Sequence, residues 1–449
     1  MKIALIGNMN NNNFALMRYF RILGADAHLL LYSNDGKREL SHFKPECDTW
    51  DIEKWQPYIH QTNIPNIPAA GLCFPLSWLV AFRSIFLTLL GYQGEWNLPV
   101  SNREIKKSYI GYDRYIGSGI APATFARASL ILDIFYPYAI GIEFFSDPEF
   151  LSKLSKKTFF RNWLTSSVKS WQSKGIVEAR HTLCFECGNT FDALINLSIH
   201  PLKLSVPMVF NQEDISTSNS NIKIGNILKL INESKFVVMH HARLLWRKSN
   251  SISNENWKNI NKNNNWLIES FSNFVKNRKD LNPKLILIEY GYDINSTKKL
   301  VNELGLNTYV VWLPMMDRRE LMLIIPQISV GVGEFYEIPK MIWGGTGWEV
   351  LASGKPLLQG FNFEPGEFEE NYGYPPPPML PVRNQEDILG HLLEMADHPD
   401  KREVIGQGAK AWFDEYNGIG LAKKWLELLS KDVSVEGRTK INKSHSMGT

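Results

Sequence analysis

One glycine-rich stretch combines the residue types of a nucleotide site. In GGTGWEVLASGKPLL, residues 344–358, three glycines let the backbone approach a ligand closely before a helical pattern begins near Thr346. The free N–H groups and the positive dipole end of such a helix favour a phosphate. Glu349, in the first turn, suits the two hydroxyls of a ribose as a bidentate acceptor. The stretch therefore predicts a nucleotide site; the alternative is an ordinary helix whose glutamate interacts with the helix dipole.

Alternating strand and helix patterns must position this stretch. In the first half, KIALIG and DAHLLLY are apolar runs typical of buried strands, and FALMRYFRILG between them has helical spacing and ends at Gly24. A strand at 112–117 and a helix over 121–133 are also predicted. The second half repeats this order in FVVMHHA, NWLIESFSNFVKN, KLILIEYG, STKKLVNELG, TYVVWL, DRRELMLII and ISVGVGEF, where Asp317 and Glu320 have capping-box spacing. Such alternation predicts an α/β fold with parallel sheets and ligands at the strand ends.

The chain length implies two such units. A chain of 449 residues is too long for one ordinary core, and the polar, aperiodic stretch at 212–221 is interpreted as the linker. Two α/β halves leave a cleft between them, where ligands are usually held. The predicted divisions are an N-terminal Rossmann-like domain at 1–215, a C-terminal Rossmann-like domain at 222–408, a helical segment at 409–431 that returns to the first domain, and a disordered tail at 432–449.

Composition excludes several classes of protein. The chain is 44% hydrophobic and 21% charged, which is globular, and its formal net charge of +3 argues against nucleic acid as a partner. Four cysteines form no disulfide framework, so Cys184 and Cys187 are expected to be ordinary reduced residues. The N-terminus lacks a signal-peptide pattern. The most apolar stretch, Leu72 to Leu90, carries Arg83 near its middle, which favours a buried helix over a segment that dips into a membrane.

The motif around Glu349 resembles the donor site of family 4 glycosyltransferases, which are retaining enzymes of the GT-B fold. The resemblance extends upstream through FVVMHHARLLW, KLILIEYG, VNELGLNTYVVWLPMMDRREL and ISVGVGEF, over roughly residues 236–430. It implies two Rossmann-like domains with parallel sheets facing an interdomain cleft. It also implies that Glu349 binds the ribose of a nucleotide sugar and that Gly345, Thr346 and Gly347 lie against the diphosphate or the sugar.

The resemblance further implies a catalytic pair of cations on the leaving diphosphate. By position these are Arg243, at the end of the first strand of the second domain, and Lys262, before the next helix. Positive charge there would stabilise the bond-breaking transition state. The loop between them is longer than in most members of the family, so Arg247 or Lys248 could replace either partner, and a solvated basic loop is the alternative.

The first glutamate of the family motif is displaced in this chain. It normally lies eight residues before the second, a position held here by Met341. Glu334, at the end of ISVGVGEF, is the preferred substitute and would accept hydroxyls of the donor sugar. Glu337 is the second candidate, with an exposed loop acid as its alternative interpretation.

An asparagine-rich loop, Asn8 to Asn13, occupies the place of the family's glycine-rich first loop. Asn10 and Asn11 are predicted to bind substrate oxygens across the cleft; the alternative is that the asparagines only cap a helix starting near Phe14. No catalytic base is indicated, because His240 and His241 end a strand, where a histidine is more often structural. The resemblance implies no cofactor, and the chain has no DxD-like metal motif.

A basic, aromatic segment occupies residues 151–175. It contains six lysines and arginines, no acid, and interleaved residues such as Trp163 and Trp171. Peripheral contact with an anionic membrane is one interpretation, and a surface helix that packs its aromatic side chains on the domain is the other.

Together these features predict an enzyme that transfers a sugar with retention. The donor is a nucleotide sugar, and the acceptor, held by the N-terminal domain, is a glycan, a lipid-linked molecule or a small molecule. Synthesis of polysaccharide in the cytoplasm, with peripheral contact at the inner membrane face, fits this prediction. The rivals are a nucleotide-sugar epimerase of the same fold and a non-catalytic relative. A dehydrogenase is disfavoured because ALIGNMNNNN lacks GxGxxG.

Overall fold

The computed structural model describes residues 1–33, 44–64, 102–137, 170–184, 188–206, 209–213, 222–249, 254–258, 260–336 and 344–430. The strands of the first domain are β1 (Lys2–Ile6), β2 (Asp26–Leu31), β3 (Ile59–Gln61), β4 (Arg114–Gly117), β5 (Ile134–Phe135) and β6 (His181–Thr182). Those of the second are β7 (Val237–His240), β8 (Lys284–Ile288), β9 (Val310–Leu313), β10 (Val330–Val332), β11 (Leu357–Gly360) and β12 (Leu380–Val382).

Helices cover these strands. In the first domain they are α1 (Asn12–Ile22), α2 (Ile52–Trp55), α3 (Asn102–Tyr109), α4 (Ala121–Arg127) and α5 (Gly188–Asn196). In the rest of the described chain they are α6 (Ile222–Asn232), α7 (Asn254–Lys258), α8 (Asn264–Asn277), α9 (Ile294–Glu303), α10 (Arg318–Ile324), α11 (Gly345–Ala352), α12 (Glu367–Tyr372), α13 (Gln385–Asp397), α14 (Pro399–Tyr416) and α15 (Ile419–Ser430).

The described strands form two parallel sheets of six strands each. Their orders are β3-β2-β1-β4-β5-β6 and β9-β8-β7-β10-β11-β12, so both sheets have the same doubly wound topology. The apolar runs KIALI and KLILI form β1 and β8 with buried interiors, as expected of strands covered on both faces. The direction of winding reverses between β1 and β4 and between β7 and β10. The predicted α/β fold with parallel sheets is confirmed.

Local signals placed several element ends, but the strand predicted at 112–117 begins only at Arg114, and one helix was predicted too long. The capping box at Asp317 and Glu320 is present at the start of α10, and Gly24 follows α1 with a left-handed φ of 84°. The helix predicted over 121–133 is wrong in length, because α4 ends at Arg127. Ser129 adopts a left-handed φ of 55°, and the Leu130 amide donates back to the Phe125 carbonyl at 2.9 Å, which closes the helix and turns the chain into β5.

The last helix belongs to the core of the first domain. Trp425 on α15 is fully buried in a hydrophobic cluster that also contains Ile3 and Phe14. Its indole Nε1 donates to the Ser205 carbonyl at 3.1 Å, and its ring lies 5.5 Å from that of Tyr136. The first domain is therefore assembled from residues at both ends of the described chain.

The two chain segments that pass between the domains are tied together. Asn211 donates its amide to Asp414 Oδ1 at 2.7 Å, and Asn417 donates to Ser205 Oγ at 3.1 Å and to the Val206 carbonyl at 2.8 Å. These bonds join the segment that leaves the first domain to the segment that returns to it.

Several residues interpreted from the sequence lie outside the described ranges. They are Leu72 to Leu90, 151–169, Cys187, the linker residues 214–221, Glu337, Met341 and 432–449. Of the basic aromatic segment, the described part shows Trp171 packed against the hydrophobic core of the first domain. Within the described ranges, no helix combines the length and the hydropathy that a membrane span requires.

Candidate functional site

The candidate site lies where the winding of the second sheet reverses. The carboxyl ends of β7 and β10 are neighbours there, and they lead to Arg243 and Glu334 respectively. Lys262 reaches the same place because its amide donates to the Leu245 carbonyl at 2.9 Å, which closes the long loop after β7. Crevices at such reversals are where doubly wound sheets bind ligands.

Lys262, Glu334 and Tyr336 form a compact cluster. The Lys262 ammonium pairs with the Glu334 carboxylate and donates to the Tyr336 hydroxyl at 2.8 Å, and that hydroxyl donates to the other Glu334 oxygen. The side chains of Lys262 and Glu334 are only 11% and 10% exposed. Burial and the charge of Glu334 raise the pKa of Tyr336, so its phenol remains protonated and able to donate. Sequence reasoning did not identify Tyr336.

Glu334 lies beside the start of α11. A Cβ placed on Gly344, the residue before the helix, would meet Glu334 Oε2 at 3.2 Å. The buried Gln359 on β11 fixes the backbone of Glu334 from both sides: its Oε1 accepts from the Glu334 amide at 3.1 Å, and its Nε2 donates to the Glu334 carbonyl at 2.8 Å. The carboxylate is thus held at the positive end of a helix dipole, next to a cation.

Arg243 supplies a second cation near this cluster. Burial is the main reason that the pKa of Lys262 is lowered, and the charge of Arg243 adds to the effect. The Arg243 guanidinium is exposed, lies 5.5 Å from the centre of the Tyr290 ring, and forms no hydrogen bond or ion pair with the described residues. Arg243 is thus near enough for its charge to act on the Lys262 ammonium, and a joint role of the two cations on a diphosphate stays a prediction.

The alternative cations point elsewhere. The Arg247 guanidinium donates to Ser296 Oγ on α9 at 2.9 Å, and Lys248 donates to Asn254 at the start of α7. Both side chains are exposed.

Glu349 is buried, and each of its carboxylate oxygens accepts a hydrogen bond from another side chain. His241 Nε2 donates to one carboxylate oxygen at 2.8 Å, and Arg318 Nε donates to the other at 2.7 Å. Burial alone would raise the pKa of Glu349, but the hydrogen bond from His241 and the charge of Arg318 outweigh it and lower the pKa to about 2. The glutamate is therefore ionised at neutral pH. Its partners were not identified from the sequence, because no local pattern connects them to Glu349.

Arg318 also joins the second domain to the first. Its Nη1 donates to Asp48 Oδ1 and to the Asn10 carbonyl, both at 3.0 Å. Asp48 in turn pairs with the fully buried Arg18 at 3.2 Å, and Arg18 pairs with Glu213 at 2.8 Å. A chain of alternating charges therefore runs through the contact between the two domains.

The asparagine-rich loop faces this contact. Asn10 and Asn11 adopt left-handed φ values of 51° and 57°, and the Asn11 amide donates to Asp48 Oδ1 at 3.2 Å. Asn8 Oδ1 accepts from the Phe14 amide at 3.1 Å, so the loop also supports the start of α1. In the described part of the chain, both polar atoms of the Asn12 side chain are buried without a hydrogen-bond partner.

His240 has a structural role. Its Nδ1 donates to the Val332 carbonyl at 3.3 Å, and its Nε2 accepts from the Asn264 amide at 2.7 Å. Burial lowers its pKa to about 3, so the ring is neutral and links β7 to β10 and α8. Among the residues that the structure describes, no group of three or more His, Cys, Asp or Glu side chains could hold a metal ion.

Comparison with known proteins identifies the fold. No protein-family model matches the chain, and no curated protein matches it in sequence. Anabaena HepE in complex with UDP and glucose is similar with a TM-score of 0.53 at 15% identity, over 96% of this chain and 99% of HepE. A glycosyltransferase from Rickettsia africae gives 0.51 at 14% identity, over 96% and 99%.

A third similar structure belongs to a different class of enzyme. UDP-GlcNAc 2-epimerase from Neisseria meningitidis, bound to UDP-GlcNAc, gives a TM-score of 0.51 at 10% identity, over 96% of this chain and 100% of the epimerase. At these identities the likeness concerns the fold alone. Together with the two doubly wound sheets, it confirms the predicted GT-B architecture of two Rossmann-like domains.

Proposed function

We propose that this chain is a retaining glycosyltransferase of the family 4 type, which transfers a sugar from a nucleotide donor. The observation that carries the proposal is the arrangement at the start of α11: Glu334, paired with Lys262, lies beside the residue before the helix, the charge of Arg243 acts on Lys262, and Glu349 lies one turn further on. Cations and free N–H groups suit a diphosphate, and carboxylates suit sugar hydroxyls. The solved structures of this fold that hold UDP, glucose or UDP-GlcNAc support a nucleotide sugar as donor.

The role proposed for each residue follows from its charge. Arg243 and Lys262 neutralise the diphosphate as negative charge grows on it during cleavage of the glycosidic bond. Glu334 accepts hydroxyls of the donor sugar. Tyr336 fixes the relative positions of the Lys262 and Glu334 side chains, since its hydroxyl forms a hydrogen bond with each. Gly345, Thr346 and Gly347 bring the helix backbone to the diphosphate. The proposal includes no metal or other cofactor, because two cations supply the charge that the leaving group requires.

The acceptor is proposed to bind on the first domain, near Asn10 and Asn11. The acceptor proposed is a glycan, a lipid-linked molecule or a small molecule. Cytoplasmic polysaccharide synthesis with peripheral membrane contact through 151–175 stays a prediction. Vesicle binding that rises with anionic lipid and falls with salt would support that contact.

Two incubations separate the proposal from its rivals. The protein is first incubated with UDP-glucose and other nucleotide sugars, with and without candidate acceptors, and the release of nucleoside diphosphate is measured. A transferase releases it faster with an acceptor. The protein is then incubated with UDP-GlcNAc alone and followed by NMR. Conversion to a second sugar without an acceptor would identify an epimerase, whereas binding without any turnover would identify a non-catalytic relative.

Gly345→Ala is expected to weaken binding without disturbing the fold. A Cβ at Gly345 would have no heavy atom within 4 Å, and alanine suits a helix better than glycine, so the melting temperature should stay the same or rise. The methyl group would occupy the space in which a diphosphate approaches the backbone. We expect the Kd for a nucleoside diphosphate to rise by about tenfold or more, equivalent to about 1.4 kcal/mol, in calorimetric titrations.

Gly390→Ala on α13 is the matched control, since a Cβ there also meets nothing within 4 Å. Equal affinities for the parent and both variants would place the diphosphate away from the start of α11.

A further inference from the structure

The Arg318 guanidinium contacts both domains at once. Nε donates to Glu349 Oε1 at 2.7 Å in the second domain, and Nη1 donates to Asp48 Oδ1 and to the Asn10 carbonyl in the first. The side chain is 13% exposed. One planar cation therefore connects the proposed ribose-binding carboxylate to the asparagine-rich loop.

A ribose needs the carboxylate that Arg318 occupies. The two vicinal hydroxyls of a ribose donate together to both oxygens of a carboxylate. Each oxygen of Glu349 already accepts a hydrogen bond, one from His241 and one from Arg318, and the side chain is only 8% exposed. In this arrangement His241 and Arg318 compete with a ribose for the two oxygens of the buried carboxylate.

Arg318 is the donor that can withdraw. The side chain of His241 is 2% exposed and follows directly after β7, so the sheet fixes its position. Arg318 has a long side chain at the first position of α10, and it retains Asp48 and the Asn10 carbonyl when it leaves Glu349. A buried cation without a partner would be strongly unfavourable, and the exchange avoids this because Arg318 keeps two partners.

We infer that Arg318 is an internal competitor of the nucleotide: it occupies Glu349 when no nucleotide is bound, and the ribose hydroxyls of the donor displace it. The inference rests on the proposed function. Arg318 acts on donor binding through Glu349 and is thus a positioning residue.

Calorimetric titration of Arg318 variants tests this inference. The probes are UDP, ADP and GDP, added to the full-length parent, Arg318→Ala and Arg318→Lys. Removal of the competitor should tighten binding of the diphosphate that the parent binds by about tenfold or more in Arg318→Ala. Arg318→Lys should show a smaller gain, because an ammonium cannot hold two carboxylates as a planar fork does.

Arg319→Ala is the matched control. Arg319 also crosses to the first domain, where its Nη1 lies 3.4 Å from the Thr49 carbonyl and its guanidinium lies 4.9 Å from the centre of the Trp50 ring, but it does not contact Glu349. Its loss should leave affinity unchanged. The tighter binding should also disappear for the 2′,3′-dideoxy analogue of the bound diphosphate, since that analogue has no ribose hydroxyls that could donate to Glu349.

The outcomes separate this inference from the proposed function. If the parent binds a nucleoside diphosphate and neither Arg318 variant binds it more tightly, the competition is refuted and the proposed function stands. An equal gain for the dideoxy analogue would also refute it. If no diphosphate binds to the parent or to any variant, the proposed function fails and this inference fails with it. Should Arg318→Ala unfold, Arg318→Lys, which keeps the charge beside Asp48, decides the question.

Discussion

Lys262→Ala is expected to lower the turnover number by about a hundredfold or more. The Lys262 ammonium is largely buried beside Glu334 and Tyr336, close to the start of α11 and to a second cation, Arg243. At this position it faces the diphosphate proposed to leave, where negative charge grows in the transition state. Arg243→Ala should have a similar effect. Steady-state kinetics at saturating nucleotide sugar measure the change, and thermal unfolding shows whether each variant remains folded.

Arg247→Ala and Lys248→Ala are the matched controls for this prediction. Both remove an exposed cation from the same loop, but these side chains contact Ser296 and Asn254 instead of the cluster. They should retain the turnover of the parent. Loss of turnover in these two variants, with Lys262→Ala unaffected, would mean that the catalytic charges lie elsewhere in the loop.

Glu349→Gln should destabilise the protein as well as weaken donor binding. The substitution removes the negative charge between His241 and Arg318, two donors that are themselves largely buried. Loss of one partner from a buried ionic group typically reduces the free energy of unfolding by about 3–5 kcal/mol. The ribose would also lose its charged acceptor, at about 1.5–3 kcal/mol for a hydrogen bond of that kind. Urea unfolding and calorimetric titration with nucleoside diphosphates measure the two effects.

The stability difference between the parent and Glu349→Gln should depend on pH. The pKa of Glu349 is lowered from the ordinary 4.5 to about 2, so its ionised form stabilises the folded state above the unfolded pKa. That contribution is lost as the pH falls from about 4.5 towards 2, and the difference between the two proteins should narrow over this range. Glu370→Gln, which alters an exposed carboxylate on α12, serves as the control.

Two results would contradict this account of Glu349. A stability difference that is constant with pH would mean that the ionised glutamate has no favourable partners in the folded state. Binding and turnover equal to those of the parent would mean that Glu349 interacts only with the helix dipole.

The fold was predictable because its signals are local. Apolar runs specified β1 and β8, and the capping box at Asp317 specified the start of α10. The helix over 121–133 was predicted too long because a serine at position 129 carries no obvious stop signal; its left-handed conformation depends on the turn into β5.

The candidate site was predictable only in part. The resemblance to a family supplied Arg243, Lys262, Glu334 and Glu349, which periodicity and spacing alone could not connect. The partners of Glu349 were missed because Arg318 is a surface-type residue in the sequence, and its contacts with Asp48 and Asn10 exist only once two separately folded domains meet. Such long-range electrostatic contacts have no sequence signature of their own.

Burial of α15 in the first domain affects the order in which the protein can fold during synthesis. Domains generally fold as units, the N-terminal one first, as the chain emerges from the ribosome. Here the core around Ile3 and Phe14 contains Trp425, so the cavity that this indole fills stays open until residues beyond 419 have emerged. The core of the second domain includes Trp412 and Phe413 on α14, so it also is complete only shortly before α15 emerges. The nascent first domain would therefore expose an apolar surface that a chaperone could bind during most of translation.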